Sequence, residues 1–253
     1  MLSLEWMLIY GSIGLSVGLI AGMLGVGGGG ILVPLLAIVF RYQGFENHVV
    51  HYALGTAFAC MIFSSLSSIR AHGARGNVMW KLFAILSSGI LVGTFVTAYV
   101  TADIHSAYIA MFFTVFMAFM AAQMFLNWRP KPSNRPLKLW PLLLVGTGIG
   151  AFSAVAAVGG GFLTITYLNY KNITIKKAIG TSAAIGLPIA VAGTLGYLLS
   201  GWSETANNPY MLGFIYVPAF VVISITSALA APVGAHFTDQ LPDAHLKKAL
   251  GVV

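Results

Sequence analysis

Gly27, Gly28, Gly29 and Gly30 interrupt one long apolar run, and Gly159, Gly160 and Gly161 interrupt another at a matching place in the second half of the chain. The chemistry open to such clusters is that of the backbone. A helix that restarts after a break presents unpaired N–H groups and the positive end of its dipole, and both attract anions. Glycine adds close approach to a ligand and free access to positive φ. Thr56, Thr181 and Ser182 follow in the next runs and could add hydroxyl donors. No Lys or Arg lies within the runs, so the expected substrate site uses amides and hydroxyls without a guanidinium clamp. No Asp or Glu lies there either, which removes the carboxylate relay common in proton-driven carriers. His51, near the outer end of the second run, is the candidate for a proton-linked role. The other histidines, His72 in an inner loop among them, read as interfacial. No H-E-x-x-H or H-x-x-E-H spacing occurs, so no metal site and no cofactor is expected. Gly25 to Gly30 also satisfies G-x-G-x-x-G, but a dinucleotide site needs a strand and a soluble βαβ unit around it.

The elements that must hold these residues are membrane spans. Hydrophobic residues make up 58% of the chain and charged residues 8%, against roughly 25% charged in soluble domains. Apolar runs free of Asp, Glu, Lys and Arg cover Met7 to Phe40, Tyr52 to Ile69, Leu82 to Val100, Ser106 to Trp128, Leu139 to Leu168, Ala178 to Leu199 and Leu212 to Ala235. Most match one bilayer crossing of about 20 residues, and the two longer ones carry the glycine clusters. Trp6, Trp80, Trp128, Trp140 and Trp202 all fall at run margins, as an interfacial aromatic belt requires. Glu5, with no basic residue ahead of the first run, does not fit a signal peptide, so that run is expected to stay in the mature protein. Cys60 sits inside a run and reads as a small buried apolar residue. Pro34, Pro188 and Pro218 are candidate kink positions. Gly14, Gly18 and Gly22, like Gly89 with Gly93 and Gly146 with Gly150, stand at four-residue spacing and predict close helix packing.

The chain repeats itself. Ala53 to Ala57 (ALGTA) follows the first cluster and Ala178 to Ser182 (AIGTS) the second. Each is followed by an apolar run, a polar loop with glycine (Gly76, Gly213) and another run. If every run crossed once, the 13 basic residues would divide seven to six between the two sides. If the two long runs turn back at their glycines, twelve of the 13 share one side and only Arg41 lies opposite. The positive-inside rule prefers the second arrangement. The expected fold is therefore all-α: a polytopic transmembrane bundle of two inverted repeats, each opening with a glycine-broken helix. Residues 1–128 form repeat one, 129–138 a cytoplasmic linker and 139–253 repeat two. The basic loops 70–81, 129–138, 169–177 and 236–248 are expected in the cytoplasm. Repeat two lacks a counterpart to the last run of repeat one, which leaves truncation of the chain at its C-terminal end as one reading.

Gly18 to Pro34 (GLIAGMLGVGGGGILVP) resembles the first signature of the TauE/SafE family of sulfite exporter-like membrane proteins. Val158 to Leu163, Ile179 to Ala183 and His72 to Gly76 resemble further family features. The resemblance implies a multi-pass protein of the bacterial inner membrane that exports sulfite, sulfoacetate or another organosulfur anion. Seven runs depart from the family's usual eight hydrophobic segments. The leading expectation is a secondary transporter exporting sulfite or an organosulfonate by alternating access. Its partners would be that small anion and the lipid bilayer; the small-residue faces are compatible with a homodimer. The net charge of +7 is explained by loop placement, and no basic-aromatic module for nucleic acid is present. The alternative is a non-transporting membrane assembly partner or scaffold. An enzyme is not expected, because the runs offer no nucleophile–base pair or metal-ligand set.

Overall fold

The computed structural model describes residues 3–24, 28–101, 103–125, 139–157, 160–205 and 208–240. In chain order the helices are α1 (Leu4–Leu24), α2 (Gly29–Tyr42), α3 (Val49–Ala74), α4 (Trp80–Thr101), α5 (Ser106–Phe125), α6 (Leu139–Ala156), α7 (Gly161–Tyr170), α8 (Ile175–Ser200) and α9 (Trp202–Thr205). The two-residue strands β1 (Met211–Leu212) and β2 (Ile215–Tyr216) then pair antiparallel ahead of α10 (Val217–Gln240). Helix is the expected outcome for runs of this composition, since each backbone group finds its partner within its own segment and none faces hydrocarbon unpaired. Six helices, α1, α3, α4, α6, α8 and α10, are long and apolar enough to cross a bilayer. The fold is all-α, and the protein is a multi-pass membrane protein.

The helices do not share burial equally. Most of α3 and α8 is buried, and these two helices pack on each other at the centre. α1 lies along α10, and α6 lies along α4; α10 also packs on α3, and α4 on α8. The short α2 rests on α3 and the short α7 on α8. Exchanging α1 with α6, α2 with α7, α3 with α8 and α4 with α10 leaves this pattern of neighbours unchanged. Residues such as Leu8, Met111 and Leu229 stay more than 60% exposed, so the outer surface is as apolar as the interior.

The α1–α10 and α4–α6 pairs are made by glycine. A Cβ at Gly14, Gly18 or Gly22 would strike the α10 backbone at Ile223, Ser227 or Ala231. A Cβ at Gly146 or Gly150 would strike α4 at Leu86 or Ile90, and one at Gly89 or Gly93 would strike α6 at Leu143 or Thr147. Lipid supplies no hydrophobic force between helices, so this backbone-to-backbone packing supplies the attraction. Cys60 is buried, as its setting suggested. α2 continues through Pro34 and α8 through Pro188. Pro218 is not a kink site: it stands in the first turn of α10, where no intrahelical bond is lost. The linker 129–138, residues 241–253, Gly27 and Gly159 lie outside the described residues.

Candidate functional site

α1 stops at Leu24, and α2 begins at Gly29 behind Gly28, which has φ 73°. α6 stops at Ala156, and α7 begins at Gly161 behind Gly160, which has φ 65°. Both residues are left-handed, a conformation costing other residue types about 1–2 kcal/mol. Neither helix start has a side-chain cap. The carbonyl of Gly28 accepts from Leu32 at 3.0 Å, and that of Gly160 accepts from Thr164 at 2.8 Å, so each helix closes its first turn on a glycine. The Ile31 amide also donates to the Gly28 carbonyl at 3.2 Å, so the donors a ligand can use are the amides ahead of it, Gly29 and Gly30, and those of Gly161, Phe162 and Leu163 ahead of Thr164.

The start of α2 meets the end of α6. Gly29 sits so close to Ala157 that a Cβ would run into the Ala157 carbonyl, and Met61 of α3 lies beside it. Gly28, Gly29, Gly30, Gly160 and Gly161 are all buried. Ser182 donates to the Gly161 carbonyl at 3.0 Å, so α8 brings this predicted hydroxyl to the second helix start.

Thr56 and Thr181 serve the fold in matching ways. The Thr56 hydroxyl accepts from the Tyr216 amide at 2.9 Å, and the Thr181 hydroxyl accepts from the Met79 amide at 3.0 Å. The preceding Gly55 and Gly180 lie against the carbonyls of Phe214 and Asn77. Each Gly-Thr pair thus fastens the loop that leads into α10 or α4: the glycine lets the loop backbone in, and the threonine receives its amide. Replacing Thr56 or Thr181 by valine strands a buried amide, which costs about 1–3 kcal/mol. Each variant is expected to show a lower melting temperature in detergent, with the serine variants restoring it; unchanged melting of both valine variants would refute the fastener.

His51 is buried at the start of α3, with Nε2 3.3 Å from the Thr101 carbonyl and Nδ1 3.0 Å from the Ser106 hydroxyl. A carbonyl only accepts, so Nε2 carries the proton and Nδ1 of the neutral ring accepts from Ser106. His51 therefore ties α3 to the end of α4 and the start of α5. His72 is not a loop residue. α3 runs on to Ala74 and buries the ring, with Nε2 3.2 Å from the Gly22 carbonyl. The glycines that suggested a loop act later, at Gly76, where φ is 70°.

Three serines were missed by the sequence reading. Ser64, Ser65 and Ser68 of α3 line a small hollow of about 10 Å³ with Ala21 of α1 and Ala183 of α8. That is room for about one water. Ala21 is also a neighbour of Gly28, so the hollow adjoins the first helix start. Ser64 donates to the Met61 carbonyl at 3.3 Å, whereas the buried Ser68 hydroxyl has no partner among the described residues. The available signal was the cluster of serines at 64, 65, 67 and 68 in a largely apolar span, three of which, Ser64, Ser65 and Ser68, share the side of α3 that carries Met61. A larger groove of about 570 Å³ between α5, α6 and α7 is lined by Phe116, Phe152 and Phe162 and is too apolar for an anion.

The sequence profile described as Sulfite exporter TauE/SafE matches residues 10–253. The chain belongs to that family. A probable membrane transporter protein of Haemophilus influenzae is 32% identical, with 95% of this chain and 92% of the relative covered. A probable membrane transporter protein of Bacillus subtilis is 28% identical over 92% of this chain and 91% of its own length. One from Methanocaldococcus jannaschii is 26% identical over 95% and 90%. No solved structure matches. The protein is thus a probable membrane transporter of the TauE/SafE family.

Proposed function

We propose that this TauE/SafE protein is a secondary transporter that exports a small anion, sulfite or an organosulfonate, across the bacterial inner membrane by alternating access. The observation that carries the reading is the pair of buried helices that start behind left-handed glycines, α2 behind Gly28 and α7 behind Gly160, with the start of α2 packed on the end of α6 at Ala157. Each of these helix starts offers a positive dipole end and first-turn amides, and no Lys or Arg lies in the apolar runs that carry them, which suits a compact anion. Gly27 to Gly30 and Gly159 to Gly161 provide the amides; Ser182 and the serines of the hollow provide hydroxyls. Thr56 and Thr181 hold the loops that keep α3 and α8 in register. The two halves are read as inverted repeats whose first helices break at the glycines. The exchange-symmetric packing supports this reading, as does the charge bias that puts the loops 70–81, 129–138, 169–177 and 236–248 in the cytoplasm. The family's printed description supports sulfite as the first anion to try.

Flux tests the proposal. Purified protein in liposomes is expected to release trapped radiolabelled sulfite faster than empty liposomes do, with saturation and with competition by short sulfonates. Release that matches protein-free vesicles for sulfite and every sulfonate tried would defeat it and leave the scaffold role.

A further inference from the structure

The repeat that aligns Thr56 with Thr181 also aligns His72 with Tyr197, and the repeat that aligns Gly28 with Gly160 also aligns Gly22 with Ala154. The structure joins these residues in the same combination. His72 Nε2 lies 3.2 Å from the Gly22 carbonyl, and the Tyr197 hydroxyl donates to the Ala154 carbonyl at 3.2 Å. Both rings are fully buried. A carbonyl cannot donate, so Nε2 of His72 carries the hydrogen. Two different side chains thus make one contact: a donor near the end of a central helix holds the last turn before a glycine break.

The contacts bridge thin seams. α1 packs along α10 and meets α3 sparsely; α6 packs along α4 and meets α8 sparsely. Each of those outer pairs is locked backbone to backbone by glycine and rests on its central helix through α10 or α4, so a shift of the pair slides α10 on α3 or α4 on α8 and breaks the contact at α1 or α6. The Tyr197 hydroxyl also lies 3.4 Å from Thr101 Oγ1 of α4, so it touches both members of its outer pair.

The two contacts stand at opposite ends of the bundle. His72 lies between Arg70 and Arg75. Tyr197 lies at the far end of α8 from Lys176 and Lys177, about 30 Å along the helix. Packing differs between the ends. Beside the α1 end, Ala183 leaves the serine hollow open. At the place that corresponds to Ala183, Phe58 packs against Gly193 and stacks on Tyr197 with centroids 5.8 Å apart.

We propose that His72 and Tyr197 are matched positioning residues, latches that close the α1–α10 pair at one end of the carrier and the α4–α6 pair at the other, each released when the site opens to its own side. The proposal rests on the carrier reading above and assigns these two side chains the two-sided gate that alternating access requires.

Side-specific thiol labelling tests it without needing transport. In a Cys60→Ser background, Ser65→Cys reports on the hollow, and Ala190→Cys reports on the corresponding place in the other repeat. Each is exposed to a membrane-impermeant methanethiosulfonate in right-side-out and in inverted vesicles. His72→Met is expected to speed labelling of Ser65→Cys from the basic side about two- to tenfold, the population shift that one lost hydrogen bond allows. It should leave Ala190→Cys unchanged. Tyr197→Phe, which removes a single oxygen, should do the reverse from the opposite side. His72→Gln, whose amide can donate to Gly22, should restore the parental rate. Equal acceleration at both reporters by either variant would mean general loosening and would overturn the latches, as would no acceleration by either. If His72→Met does not yield monodisperse protein, Tyr197→Phe with Ala190→Cys decides alone. Sulfite flux is measured separately on the parent: its absence removes the carrier reading, while the labelling pattern still reports whether the contacts are one-sided.

Discussion

Replacing Gly29 by alanine is expected to lower sulfite flux in proteoliposomes at least about tenfold. The added methyl would collide with the Ala157 carbonyl, and Met61 Sδ would lie 2.7 Å away. The sulfur end of Met61 can swing aside, but the carbonyl belongs to the backbone before the second helix start and cannot. Relief therefore requires the start of α2 to move away from the end of α6. Overpacking of this kind costs about 1–3 kcal/mol, and 1.4 kcal/mol is a factor of ten in rate. Gly148→Ala is the matched control. Nothing lies within 4 Å of a Cβ there and its φ is ordinary, so alanine adds only helix propensity, about 0.5–1 kcal/mol in its favour. Parental flux in Gly29→Ala, measured at equal reconstituted amounts, would show that the contact between the start of α2 and Ala157 is incidental to transport.

Ser68→Ala is expected to move stability and transport in opposite directions. Its hydroxyl is buried, lines the hollow and has no partner among the described residues. An unsatisfied buried hydroxyl costs about 1–3 kcal/mol, so its removal should raise the melting temperature of the anion-free protein. If the hydroxyl instead donates to the anion, its loss removes a hydrogen bond to a charged group, worth about 1.5–3 kcal/mol. Flux at low sulfite should fall about tenfold or more. The combination separates site from scaffold, because a purely structural serine lowers both readouts when removed. A fall in melting temperature, or unchanged flux at low sulfite, would take Ser68 out of the site. This opposition of stability and activity is what a group held unpaired for its ligand should show.

Much of this protein is legible without coordinates. Unbroken apolar runs announced the spans, since a backbone surrounded by hydrocarbon has little choice but helix. Gly28 and Gly160 stand immediately before α2 and α7 in the left-handed region, which few residues other than glycine occupy. The four-residue glycine spacing foretold the α1–α10 and α4–α6 contacts, though not which helices would pair.

The tertiary structure alone decided which polar groups are engaged with one another. In a soluble helix an apolar stripe points to the core, but here the lipid-facing and buried sides are equally apolar, so hydropathy carries no direction. That the Thr56 and Thr181 hydroxyls accept the Tyr216 and Met79 amides, while keeping a hydrogen to donate, became visible only in the folded chain. His72 looked like a loop residue until α3 extended past it to the carbonyl of Gly22. Ser68 became a candidate only when α1 and α8 closed a hollow around it. Hydrogen bonds between helices depend on which faces meet, and that was settled by glycine contacts distant in the chain, beyond the reach of any local pattern.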